Sequence, residues 1–499
     1  MSQLPVSLMN SLTDAKGFDK EAFVRVHDSG EQITSIRVNP AKAKGERSKV
    51  KGEKSESTSP AAPSAYPPQR RPQDSELPPS LKLRGAGPTP DPQKVPWTSN
   101  GFYLTERPSF TFDPLFHAGC YYVQEASSMF LEEAMKQVMD LTVPLNVLDL
   151  CAAPGGKSTL IQSIISSESL LVSNDVIKSR ASILEENMTK WGGANVMVTN
   201  NDPNDFSRLE NFFDVMVIDA PCSGSGLFRR DPAAIDEWSD QNVALCSQRQ
   251  QRILADVLPA LKEDGIIIYS TCSYSKAEDE EILDWFCSEL SMESLRLNVL
   301  PEWNIVETVS DNKSAYGYRF WPDKLKGEGF FIACLRKKEG AEFSYKSSRR
   351  SILEKLTKAE ESIVRPWLND TDQLKLLKQG DSIFAIPSPL DLPIEAIMAS
   401  KLYIRQVGIR VGKIMGKELV PDHALALSTI INPGLVAVSL KYEQAIQYLR
   451  REEVQIDSGQ AMKPGWTLVK YAGMNLGWIK VLQNRINNYY PKEMRILKK

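Results

Sequence analysis

Apolar positions between residues 125 and 288 follow two alternating periods. Short runs that are apolar throughout occur at 147–150 (VLDL), 170–175 (LLVSND), 196–200 (VMVTN), 215–222 (VMVIDAPC) and 266–272 (IIIYSTC). Between them, apolar residues recur every three to four positions over 125–139, 156–166, 178–191, 241–261 and 277–288. The first pattern predicts strands buried on both faces and the second predicts amphipathic helices. Repeated strand–helix units imply a doubly wound, Rossmann-like α/β sheet with right-handed crossovers. Residues 303–309 and 329–336 are read as a hairpin added after it.

Flanking segments differ. Residues 20–26 and 31–38 mix apolar and polar positions as a half-buried layer does, so 1–43 is expected to be a small α+β region. Residues 44–95 hold 10 of the 31 prolines, with much Ser, Gly and Lys, and are expected to be a disordered linker or insertion. A catalytic domain is expected over 96–338 and a charge-rich connector over 339–399. Residues 400–499 contain the strand-like runs LVAVSL, GWTLVKY and LGWIKVL, punctuated by glycine, and are read as a small β-rich domain.

Composition narrows the class. With 42% hydrophobic and 25% charged residues the chain is ordinary for a globular protein, which excludes a collagen-like or coiled-coil molecule. No apolar run approaches the roughly 18 residues needed to span a bilayer, and the start lacks a signal-peptide pattern, so no membrane partner is expected. Seven cysteines without a CxxC pair argue against a disulfide framework or a zinc site and fit the cytoplasm. The net charge of −3 hides an asymmetry: residues 400–499 carry +9 and the rest −12. A basic terminal module suits a polyanion, although a merely solvated surface accounts for it equally well.

The candidate chemistry begins at 149–158, DLCAAPGGKS, where the first strand passes into a helix. Ligands bind open α/β sheets at this edge. Gly155 and Gly156 allow close backbone approach and expose helix N-terminal N–H groups. A phosphate-binding P-loop needs glycine where Cys151 stands, and GxGxxG is absent. Asp175 ends the second strand and suits two ribose hydroxyls, while Asp202 follows the third and suits an adenine amino group. Helix capping is the alternative for each acid. Three successive strand ends so equipped suit an adenosyl ligand, with S-adenosylmethionine the natural candidate.

Two cysteines, Cys222 in DAPCSGSG and Cys272 in STCSYS, end the fourth and fifth strands. Neighbouring strands would bring both beside the adenosyl site. Cys246 and Cys334 are read as small buried hydrophobes. Cytosine C5 is a poor nucleophile until a thiolate adds to C6, so one cysteine suits a covalent role. An acid such as Asp219 suits N3 and the exocyclic amine, and the other cysteine suits release. Residue chemistry alone leaves open which cysteine attacks.

These stretches, together with SIRVNPAK (35–42), PLFHAGCYYVQEASSM (114–129), DAPCSGSGLFRRDP (219–232), STCSYSKAEDE (270–280) and RFWPDKLKGEGFF (319–331), resemble the Nop2/Sun family of RNA 5-methylcytosine methyltransferases. Within it they resemble the bacterial 16S ribosomal RNA methyltransferase F group. The resemblance implies that Cys272 is the nucleophile and Cys222 the thiol that helps resolve the adduct. It implies a cofactor site of Cys151, Ala152, Ala153, Pro154, Gly155, Gly156, Lys157, Asp175, Asp202 and Asp219, with Lys157 also able to reach the target base. It implies 16S ribosomal RNA or the small subunit as partner; a transfer RNA substrate, or a non-catalytic assembly factor, are the alternatives. A helix-start lysine facing solvent is the alternative for Lys157, and a helix residue with no ligand contact is likewise the alternative for Arg180; His117 is expected to be structural, and Asp323, where the family commonly has His, to have no catalytic role. The terminal module resembles a PUA-like RNA-binding domain, with Lys463, Lys470, Lys480 and Arg485 as phosphate contacts and Trp466, Trp478 and Tyr489 as base-stacking rings, core packing being the alternative for each. A monomer is the default expectation, with no metal.

Overall fold

The apolar runs build one central sheet. The computed structural model describes residues 4–43, 93–339, 353–455 and 463–498. Nine strands lie in the order Val306–Val309, Tyr316–Phe320, Phe330–Lys337, Leu261–Thr271, Phe213–Asp219, Asn146–Asp149, Leu170–Asn174, Val196–Thr199 and Ile404–Val407, and a tenth, Met292–Leu295, pairs with Phe330–Lys337. The five strands from Leu261–Thr271 to Val196–Thr199 are parallel. Alternate residues feed separate cores. Leu148, Leu170, Val172, Met216 and Ile218 pack with Ile253, Leu254 and Ile282 of helices Asp240–Val257 and Glu280–Glu289. Val147, Leu171, Val198, Val215 and Val217 pack with Leu160, Ile161, Leu184 and Met188 of helices Gly156–Ile164 and Lys178–Trp191. Burial on both faces explains why these strands carry no polar alternation. The strand order reverses beside Asn146–Asp149, which opens a crevice at its carboxyl end.

The expected hairpin of 303–309 and 329–336 is not direct. Tyr316–Phe320 lies between the two and pairs with both. Its sequence, YGYRF, carries Gly317 and a buried Arg319, which mask the strand pattern.

The N-terminal region forms helix Lys20–Asp28, capped by the Asp19 side chain on Ala22 N–H, and strand Thr34–Val38. That strand lies between Gly101–Leu104 and Tyr121–Val123 in a three-stranded antiparallel sheet. Of the expected linker 44–95, only 93–95 falls within the described residues.

The expected connector 339–399 is folded where described. Strands Glu354–Lys355, Leu374–Gln379 and Ser382–Pro387 join Ile409–Met415 and Glu418–Pro421 in a five-stranded sheet, so the fold runs across the expected boundary at 399/400. The lysines of LKLLKQ give this edge-like segment its charged appearance. Ile404–Val407 pairs antiparallel with Val196–Thr199 and extends the central sheet. The terminal sheet comprises Ala437–Ser439, Gly465–Tyr471, Met474–Val481 and Ile486–Asn488, packed with helix Tyr442–Leu449. Among the described residues no helix is long and apolar enough to cross a membrane, and no cluster of His, Cys, Asp or Glu could hold a metal ion.

Candidate active site

The loop after Asn146–Asp149 turns into helix Gly156–Ile164 through Gly155. Gly155 has φ +118°, a conformation that L side chains rarely adopt, and a Cβ there would stand 3.3 Å from Leu184 Cδ1. A Cβ on Gly156 would meet only ordinary contacts, so space alone does not demand glycine there. Ala152 N–H donates to Asn174 carbonyl (2.7 Å), tying the loop to the next strand. Cys151 is partly covered, and burial pushes its thiol pKa up.

Asp149 and Asp175 sit beneath this loop, both buried. Ser158 Oγ donates to Asp149 Oδ2 at 2.6 Å, whereas Asp149 Oδ1 is buried without a partner. Burial pushes the Asp149 carboxyl up to about 7, against the Ser158 hydrogen bond. Asp175 accepts from Ala153 N–H (3.3 Å) and Ile177 N–H (2.9 Å). Arg180 donates to Ala153 carbonyl at 2.7 Å and lies 3.6 Å from Asp175, so it braces the loop. Asp202 accepts from Asn204 N–H in a capping box and stands 3.7 Å from Arg252; the capping alternative is therefore realised, with the second oxygen only loosely paired. An orphaned acceptor on Asp149, spare lone pairs on Asp175 and a glycine-bound loop give a fit for S-adenosylmethionine, whose ammonium and ribose hydroxyls are donors.

Lys157, in the first helical turn, pairs with Asp219 at 2.7 Å and lies 5.2 Å above the Phe330 ring. Ser270 Oγ donates to the other Asp219 oxygen at 2.8 Å. Asp219 ends its strand beside Ser270 of the neighbouring strand, so the two loops that follow run side by side. They bring Cys222 Sγ and Cys272 Sγ to 3.0 Å. Gly226 N–H donates to Cys272 carbonyl at 2.8 Å, and a Cβ on Gly226 would clash with that oxygen at the same distance, which holds the loops at backbone contact. The hydrogen bond to Cys272, then burial, raises the Cys222 thiol pKa well above its usual value.

Several supporting residues carry no signal that isolates them in the sequence. Four successive acids, Glu278–Glu281, follow Cys272, and the first three are paired. Glu278 accepts from Ser223 and Ser273, Asp279 from Thr271, and Glu280 takes a bidentate pair of bonds from Arg319. Arg37 is buried and donates to Gln124 Oε1 (2.8 Å), Thr159 Oγ1 (2.5 Å) and the carbonyls of Gly156 and Thr159 (both 3.3 Å), with its guanidinium 4.6 Å from the Trp191 ring. It joins the N-terminal strand to the loop-bearing helix, and burial lowers its pKa to about 9. Cys246 and Cys334 are buried, as expected. His117 Nε2–H donates to Thr111 carbonyl (2.9 Å), its Nδ1 faces Tyr490 OH (3.3 Å), and burial lowers its pKa to about 4, a structural environment. Asp323 pairs with Lys324 at 3.6 Å.

In the terminal module Trp478 is 1% exposed and donates to Asp422 carbonyl at 2.9 Å. It packs edge-on against Trp367, so it is core and not a stacking platform. Trp466 instead meets Tyr489 at 4.5 Å and lies 5.1 Å from Lys480, and Tyr489 is 43% exposed. Lys463 and Arg485 are exposed and Lys470 is half-buried. Trp466 is half-buried and also packs against the cluster of Leu468 and Trp478, on the same sheet face.

Comparison with known proteins matches three family models to the chain: the N-terminal domain of 16S rRNA methyltransferase RsmF over 81–126, 16S rRNA methyltransferase RsmB/F over 137–336, and the methyltransferase RsmF PUA domain over 436–496. Among curated relatives, ribosomal RNA small subunit methyltransferase F of Shewanella loihica is 27% identical over 81% of this chain and 83% of its own length. The protein of the same name from Shewanella woodyi is 29% identical over 83% and 86%. A crystal structure of PH0851 superposes with a TM-score of 0.53 over 67% of this chain and 66% of its own, at 23% identity, and shares the fold.

Proposed function

The chain belongs to the RsmB/F family of methyltransferases, and from that premise we propose that it methylates C5 of cytosine in 16S ribosomal RNA through a covalent bond from Cys272 to C6 of the base. The observation that carries this reading is the pair of sulfur atoms 3.0 Å apart, beside the Lys157–Asp219 pair and the glycine loop. S-adenosylmethionine, held by residues 151–157 with Asp149, Asp175, Asp202 and Asp219, supplies an electrophilic methyl group when bound.

The side chains divide the remaining work. Cys272 adds as thiolate to C6, and the electron pair of the C5–C6 bond moves to make C5 an enamine carbon able to attack. Asp219 and Lys157 meet the N3 edge and the exocyclic amine, where charge changes as the ring becomes an enamine. After methylation a base takes the C5 proton, the C5–C6 double bond re-forms and the C6–S bond breaks. Cys272 leaves as thiolate, and the Cys222 thiol is placed to donate a hydrogen bond to it as charge develops. The target base leaves its stack to reach Cys272, at a cost of a few kcal/mol. The +9 charge of 400–499 and the Lys480–Trp466–Tyr489 face support an RNA contact, phosphates meeting lysine and bases meeting rings.

Cys272→Ala is expected to abolish methyl transfer while cofactor binding persists. Cys222→Ser is expected to accumulate a protein–RNA adduct stable on denaturing gels. Methyl transfer by Cys272→Ala refutes the nucleophile, and absence of an adduct with Cys222→Ser refutes the release role.

A further inference from the structure

We propose that Glu278 is a positioning residue for this reaction: one buried carboxylate that binds the residue after each cysteine and so holds the two sulfur atoms together. The inference rests on the reading of Cys222 and Cys272 as the reacting pair.

Glu278 is fully buried. Its Oε1 accepts from Ser223 N–H at 2.8 Å and from Gln250 Nε2 at 3.3 Å. Its Oε2 accepts from Ser223 Oγ at 2.5 Å and from Ser273 Oγ at 2.6 Å. Ser223 follows Cys222, and Ser273 follows Cys272. The carboxylate therefore reaches both loops from below, and the two serine hydroxyls lie 3.3 Å apart across it. Its own backbone is fixed, since Tyr269 OH donates to Glu278 carbonyl at 2.7 Å from within the strand that leads to Cys272.

Burying a carboxylate is costly unless its lone pairs are met. Here four donors meet them, and burial still raises its pKa above the usual carboxylate value. An apolar side chain would fill the same space at lower desolvation cost, but it would release three donors from the two catalytic loops. Backbone contact between Gly226 and Cys272 sets the approach of the loops, and Glu278 sets the rotation of the residues that carry the thiols. A misplacement of about 1 Å at a reacting atom can cost about 100-fold in rate. Glutamine keeps one acceptor oxygen of the two and replaces the other with a donor, so it should hold the loops in part.

The test reads sulfur geometry apart from catalysis. Phenylarsine oxide bonds two thiols when they are adjacent: two As–S bonds form, and the arsenic oxygen leaves as water with the two thiol protons. Intact-mass kinetics follow its capture by the full-length protein, with Cys222→Ser as the blank. The wild type is expected to bridge rapidly. Glu278→Ala is expected to bridge at least about 10-fold more slowly and to lose about 10- to 100-fold in kcat, while the cofactor Kd stays within about twofold, because the cofactor loop lies on a different strand end. Glu278→Gln is expected to fall between, and it carries the test alone if Glu278→Ala does not fold. Wild-type bridging and kcat in both variants, or in Glu278→Gln when it stands alone, overturns the proposal. If bridging responds as expected but even the wild type methylates no RNA, the positioning role stands and the methyltransferase reading fails.

Discussion

Asp149→Asn isolates the electrostatic strain stored under the cofactor loop. The carboxyl is wholly buried, one oxygen bonds Ser158 and the other has no partner. Its pKa rises from 3.8 to about 7, chiefly through burial. The folded state therefore holds this proton more tightly than the unfolded chain does. Between those two values the folded protein binds more protons, so stability is greatest at low pH and falls as pH rises. Three units at about 1.36 kcal/mol each set a ceiling of about 4 kcal/mol. Roughly 2–3 kcal/mol of that falls between pH 5 and pH 8. Asparagine mimics the protonated carboxyl and cannot ionise. Denaturant unfolding of both proteins at pH 5 and pH 8 gives a double difference in which other titrating groups cancel. The wild type is expected to lose about 2–3 kcal/mol more than the variant on going to pH 8. Parallel pH dependences refute the argument that burial dominates at Asp149.

Two further outcomes follow from the same geometry. Gly155→Ala places a Cβ at φ +118°, 3.3 Å from Leu184 Cδ1, and is expected to destabilise the protein by about 1–2 kcal/mol and to weaken S-adenosylmethionine binding, both read by thermal shift with and without cofactor. Lys480→Ala combined with Arg485→Ala is expected to weaken RNA binding across sequences and to flatten the salt dependence of log K by about 1.4, at roughly 0.7 per lost phosphate contact; an unchanged slope places the RNA elsewhere.

The central strands were readable because parallel strands buried on both faces leave uninterrupted apolar runs, and Lys178–Trp191 falls where periodicity predicts a helix. Tyr316–Phe320 was not, because its Arg319 is buried against Glu280, a pairing between residues 39 apart that local pattern cannot reveal. The same limit hid the sheet that crosses residue 399, whose strands find partners on both sides of that boundary. At the site, Cys222 and Cys272 stood out by motif and strand-end position. Glu278 did not, since a run of acids reads as a solvated face until tertiary packing places it between two loops. Trp466 and Trp478 are twelve residues apart on paired strands, and only tertiary packing separates the half-buried ring from the fully buried one.

The most direct test of the central claim is transfer of a labelled methyl group. Total RNA from cells lacking the protein, and isolated small subunits, are incubated with purified enzyme and S-adenosylmethionine labelled at the methyl carbon. The account predicts label in 16S RNA, released on digestion as 5-methylcytidine. Label confined to transfer RNA contradicts the substrate, label at another atom contradicts the chemistry of Cys272, and no label in either preparation contradicts the enzyme itself.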